Sequence, residues 1–123
     1  QYKGESHNVV VDIPGETDEV ILMSAHFDST SLSVGSYDNM SGVMTLLHAA
    51  EYFAKNPSHY SMRFVWCGSE EMGLLGSIAY CEAHKEELKN YAKVLYAQAR
   101  LIEGLTIENP TEISSLICDI ISK

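Results

Sequence analysis

Residues 20–53 read VILMSAHFDSTSLSVGSYDNMSGVMTLLHAAEYF, and their order decides the architecture. From Val20 to Phe27 the run is apolar nearly throughout, the pattern of a strand with both faces covered. It closes on His26 and Asp28, and a loop rich in Ser and Gly leads to Asp38-Asn39. Apolar residues then recur at Val43, Leu46, Leu47, Ala50 and Phe53, the spacing of one helix face, until Asn56-Pro57 ends the helix. A buried strand followed by an amphipathic helix predicts an α/β layer with helices packed on a sheet.

The flanking segments extend that pattern. Upstream, HNVVVD at 7–12 reads as a strand and Pro14-Gly15 as turn chemistry, so a hairpin with the strand at 20–27 is expected. Downstream, SMRFVWCG at 61–68 is a third strand. The segment 69–91 reads as a helix opened by Ser69 as N-cap and loosened by Gly73 and Gly76. From Ala92 the character changes. Val94, Leu95, Leu101 and Ile102 follow helical spacing, Gly104 supplies a stop, and Asn109-Pro110 opens a further helix through Ile113, Leu116, Ile117 and Ile120. The expected organisation is an α/β domain over 1–91 and a helical hairpin over 92–123, packed on it or used for assembly, including assembly into a homo-oligomer.

Composition narrows the function. At 123 residues, with 46% hydrophobic and 20% charged, the chain has the make-up of one globular domain. Acidic residues outnumber basic ones 17 to 8, and a net charge of -9 disfavours a nucleic acid or an anionic membrane as partner. A metal cation or a basic substrate suits that balance, and so does a merely solvated acidic surface. Cys67, Cys81 and Cys118 form no CxxC pair and are expected to be buried thiols. No apolar stretch approaches the roughly 18 residues of a membrane span. Gln1 is not an initiator methionine, which suggests a piece of a longer protein.

Three polar clusters fall at predicted strand ends, where α/β sheets take their ligands. His26 and Asp28 share a strand face, so the Asp28 carboxylate could bond the second ring nitrogen of His26 and fix its tautomer. Asp38, returned by the loop, adds an oxygen that could bridge two cations. Glu70 and Glu71 directly follow the third strand, and one could ligate while the other moves a proton. An imidazole with several carboxylates suits zinc or another borderline divalent ion. The plainer reading makes Asp38 a helix cap and Glu70-Glu71 acids of a first helical turn. His48 and His84 are expected to be packed or solvated, His7 and His59 to lack a partner, and Met62, Trp66, Leu74 and Leu75 to belong to the core.

Taken in order, SHNVVVDIPG, VILMSAHFDS, YDNMSGVMTLL and MRFVWCGSEEMGLLGSIAY resemble the signature blocks of family twenty-eight metallopeptidases, the co-catalytic di-zinc aminopeptidases, from Ser6 to Tyr91. The resemblance implies an α/β/α sandwich around a mixed sheet and hydrolysis of an N-terminal peptide bond with two zinc ions. It makes His26 a zinc ligand, Asp28 its orienting partner and Asp38 a bridging ligand, with a cis peptide to Asn39. Glu70 becomes the general base and Glu71 a ligand of the other zinc. The same pattern also asks for an aspartate on the next strand and a later histidine. Here no acid stands near Ala97-Gln98 and no histidine follows His84, so a truncated or remodelled, incomplete metal site is expected, with activity and occupancy both in question. The alternative is a non-catalytic α/β module assembling through its C-terminal helices. The tail 94–121, with LYAQARLIEGL and ENP, resembles the closing helices of bacterial ninety-kilodalton heat-shock chaperones.

Overall fold

The computed structural model describes residues 3–96. Strands β1 (Val9–Ile13), β2 (Val20–His26), β3 (Ser61–Cys67) and β4 (Lys93–Tyr96) form one mixed sheet in the order β1-β3-β2-β4. Helix α1 (Met40–Lys55) crosses from β2 to β3, which are parallel, and α2 (Leu75–Ala83) and α3 (Lys85–Leu88) lead to β4, parallel to β2. A dozen or more residues, normally a helix, are needed to join parallel neighbours, and α1 supplies them.

Side-chain alternation divides the core between the two faces. Ile21, Met23 and Ala25 join Met62, Phe64 and Trp66 on the face covered by Val43, Leu46, Ala49 and Phe53 of α1. Trp66 Nε1 also donates to the Val43 carbonyl at 3.3 Å. Leu22, Val65 and Cys67 pack on the opposite face with Tyr80 of α2, flanked by Leu88 and Tyr91. The result is the α/β/α arrangement expected from the sequence. Fully burying a side chain such as Phe53 or Leu46 contributes roughly 1.5–3 kcal/mol, and among the described residues the face under α1 holds more such side chains than the opposite one.

Several expectations are corrected. The β1–β2 hairpin does not form: β1 pairs antiparallel with β3, Val11 opposite Phe64. The turn after β1 instead wraps the start of β3, with Glu16 N–H donating to Ser58 O and Thr17 N–H to His59 O, both at 3.0 Å. Gly15 permits this contact, because a Cβ there would meet Tyr60 O at 2.3 Å. His59 has a partner after all, its Nδ1 lying 3.3 Å from Glu16 Oε2. The long helix over 69–91 is two short helices preceded by a turn, and Ser69, at φ 56, does not cap a helix. Leu74, also left-handed at φ 60, is the N-cap of α2 without a side-chain bond.

Only Tyr80 of α2 is buried, so Leu74 and Leu75 lie 49% and 51% exposed rather than in the core. Cys67 is buried as expected but Cys81 is exposed. Burial pushes the Cys67 thiol up to about 11, with Cys81 and Asp28 adding to the effect, so it is a neutral core group. Val94 and Leu95 belong to a strand, not a helix: Ala92 N–H donates to Val20 O at 2.8 Å and starts β4 along the edge of β2. The rest of the expected helical hairpin, the chaperone-like segment and Cys118 lie outside the described residues.

Candidate metal centre

Parallel pairing puts His26 beside Cys67 at the carboxyl ends of β2 and β3, so the loops after both strands open at one sheet edge. The first loop returns to α1 through Asn39. Asn39, not Asp38, caps that helix: its Oδ1 accepts from Gly42 N–H at 3.1 Å, and its side chain is buried. The expected cap is therefore displaced by one residue, and Asp38, joined to Asn39 by a cis peptide, turns its carboxylate toward His26. Asn is as good an N-cap as Asp, so the helix loses nothing by this displacement.

The His26 side chain is fully buried at the centre of the cluster. Its Nε2 lies 3.0 Å from Asp38 Oδ1 and 3.7 Å from Glu70 Oε2. Its Nδ1 is 3.1 Å from the backbone carbonyl of Asp28 and 3.5 Å from the Asp28 carboxylate. This corrects the expected orienting bond: the carbonyl of Asp28, rather than its carboxylate, is the nearer partner of Nδ1. A carbonyl can only accept, so it favours a proton on Nδ1 and a lone pair on Nε2. Nε2 then faces carboxylate oxygens, an arrangement that calls for a proton or a cation between them.

The Asp28 carboxylate has another task. Its Oδ1 accepts from Glu70 N–H at 3.0 Å and its Oδ2 from Glu71 N–H at 3.1 Å. Two charge-assisted bonds to successive amides tie the turn after β3 to the loop after β2. That turn replaces the expected first helical turn, with Gly73 and Leu74 N–H both bonding back to Glu70 O. Freed from helical geometry, Glu70 and Glu71 both reach the cluster: one ligand atom each from His26, Glu70 and Glu71 lie within 4.8 Å of one another. The structure thus brings together His26, Asp28, Asp38, Glu70 and Glu71. His48 and His84 lie elsewhere, His84 stacked on Tyr80 with centroids 4.3 Å apart.

The donor set fits zinc. One neutral imidazole with carboxylates, the second ring nitrogen held by a carbonyl, is the make-up of borderline divalent sites. Among the described residues this is the one cluster of at least three such side chains close enough to hold an ion.

An α/β/α sandwich with an acid-rich metal-type site at the strand ends is the class that fold and geometry define. The model of peptidase family M28 matches residues 8–106, and the chain belongs to that family. Among curated proteins it is 33% identical to a vacuolar membrane protease of Kluyveromyces lactis over 71% of this chain and 10% of that protein. It is 40% identical to aminopeptidase YwaD of Bacillus subtilis over 58% of this chain and 16% of the relative. Among solved structures, an aminopeptidase from Aneurinibacillus sp. strain AM-1 superposes with a TM-score of 0.69 at 29% identity, covering 73% of this chain and 23% of the other. A zinc aminopeptidase from Bacillus subtilis gives 0.66 at 32% identity over 72% and 23%. The chain therefore spans less than a quarter of each of these relatives. The matched family region extends past Tyr91, the boundary set by the sequence blocks.

Proposed function

We propose that this chain carries part of a zinc-dependent aminopeptidase site acting on N-terminal peptide bonds. The observation that carries the reading is the buried imidazole of His26, whose Nε2 faces Asp38 at 3.0 Å and Glu70 at 3.7 Å with Glu71 alongside. His26, Asp38 and Glu71 would hold the metal. When bound, zinc lowers the pKa of a water and polarises a substrate carbonyl. Glu70 accepts the water proton at its carboxylate and returns it to the departing amine. Asp28 holds the Glu70 and Glu71 amides and, through its carbonyl, the Nδ1 proton of His26. The substrate on this reading is a peptide with a free N-terminus.

The ligand set is short. Among the described residues, His26, Asp38 and Glu71 would supply fewer protein ligands than the three per ion that catalytic zinc sites keep, so weak binding is expected. Zinc titration by calorimetry and hydrolysis of leucine anilide by the zinc-loaded chain test the proposal. Glu70→Gln should reduce hydrolysis by roughly 10²- to 10⁴-fold while zinc binding persists. Equal hydrolysis by that variant defeats the base assignment, and no zinc heat at high metal concentration defeats the site.

A further inference from the structure

The Glu70-Glu71 turn belongs to a closed loop. Gly76 N–H donates to Gly68 O at 3.1 Å and Leu75 N–H to Ser69 O at 3.1 Å, so the start of α2 sits directly on the end of β3. The approach is so close that a Cβ on Gly76 would meet Gly68 O at 2.2 Å. One side chain from outside the loop spans this closure. Asn8, just before β1, accepts from Gly68 N–H through Oδ1 at 3.2 Å and donates from Nδ2 to Gly76 O at 2.8 Å. Asp28 fastens the same loop at its glutamate end.

We propose that Asn8 is the positioning residue of the Glu70-Glu71 loop, its carboxamide clamping Gly68 to Gly76 so that the two glutamates are presented to His26. The inference rests on the proposed metal-dependent function for its consequence, but its geometry stands without it. The two anchored ends and the Asp28 bonds leave the residues between them little freedom. Ser69 and Leu74 sit at positive φ, positions costly for residues with a Cβ that persist only when the surroundings over-determine them. A primary amide suits the task because the clamp needs an acceptor and a donor on one planar group. Aspartate keeps the acceptor, loses the donor, and sets a carboxylate oxygen against the Gly76 carbonyl.

The test compares Asn8→Ala and Asn8→Asp with Val10→Ala, a substitution at an exposed site on β1 opposite Val65 that disturbs the same strand. Amide hydrogen exchange read residue by residue is the first readout. Exchange at Gly68, Glu70, Glu71 and Gly76 should quicken by about tenfold or more in both Asn8 variants, with β2 and α1 amides unchanged and Val10→Ala without effect at the loop. Zinc affinity is the second readout, and a loss of roughly 10- to 100-fold is expected in the Asn8 variants, the usual cost of removing a supporting group. Unchanged loop exchange overturns the proposal, as does acceleration spread evenly over the sheet or reproduced by Val10→Ala. If the parent chain takes no zinc, the metal reading fails, while loop exchange still decides the clamp.

Discussion

Two polar clusters flank the sheet, and they are built on opposite principles. Around Arg63, on β3, one guanidinium meets Asp12 of β1 through two bonds at 2.5 and 2.9 Å, Glu87 of α3 at 2.9 Å and the Tyr91 hydroxyl at 2.7 Å. Tyr80 of α2 adds a fourth partner at 3.3 Å. The Asp12 bonds first of all raise the Arg63 pKa, and burial raises that of Tyr91, so the cation is permanent and the phenol neutral. Donors and acceptors are matched, the planar fork is used from both sides, and the cluster fastens β1, α2 and α3 to β3. Around His26 the balance is reversed: one imidazole stands against Asp28, Asp38 and Glu70 within 3.0 to 3.7 Å. A network that closes on itself stabilises a fold, whereas one with an excess of acceptors invites a cation.

Removing charge should therefore have opposite consequences in the two places. At the His26 cluster, Asp38→Asn takes away an oxygen ligand and relieves crowding of carboxylates. Zinc affinity is expected to fall by at least about 100-fold, the upper end of what loss of a merely supporting group costs. The melting temperature of the metal-free chain should be unchanged or raised. Calorimetric titration and thermal melts on one preparation measure both. A large drop in metal-free stability would mean that the His26 cluster is structural, like its counterpart.

At the Arg63 cluster the signs exchange. Arg63→Met keeps the stem but strands Asp12, Glu87 and two hydroxyls, and a loss of about 1–3 kcal/mol is expected from the broken bonds. For a chain of this size that corresponds to a melting temperature lower by roughly 3–5 °C per kcal/mol. Lysine should recover little, because a point charge cannot make the forked contact with Asp12. Zinc affinity should not move in either variant. A fall in zinc affinity matching that of Asp38→Asn would erase the distinction between the clusters.

The sequence made one of these clusters visible and hid the other. His26, Asp38 and Glu70-Glu71 stand at strand ends and within recognisable blocks, so their convergence follows once the sheet is placed. Strands β2 and β3 and helix α1 were legible for a simple reason: long apolar runs and a full helical period leave no competing register. Arg63 carries no such signal, since an arginine alternating with apolar residues reads as a solvent-facing position, and its partners come from three separate elements.

The failures share that non-local origin. Asp12 on Arg63 and the wrapping of residues 14–17 around the start of β3 favour β1 beside β3, and neither contact can be read from turn composition. The turn at 69–74 is shaped by Asp28 and Asn8, more than 40 residues away, so helix-forming Glu, Met and Leu adopt a conformation their local preference disfavours. Val94 and Leu95 suit a strand or a helix equally, and the free edge of β2 decides between them.

The smallest expected effect lies at the margin of the Arg63 cluster and tests whether its closure reaches α3. The imidazole of His84 first, and the guanidinium of Arg63 with it, hold the Glu87 carboxyl below its ordinary value. A carboxyl lowered in the folded state contributes stability that is present above its unfolded value of about 4.5 and disappears as pH falls through the lower folded value. The melting temperature of the parent chain should therefore exceed that of Glu87→Gln at neutral pH, with the gap closing in acid. Glu51, lowered by its bond to Lys55, should behave in the same way, but on an exposed i,i+4 pair that salt screens readily. Thermal melts of both variants across the acid range, at low and high salt, separate the cases. If Glu87 is part of the closed network through the half-buried Arg63, its gap survives added salt better than that of Glu51; if both vanish together, the network ends at Asp12 and the two tyrosines.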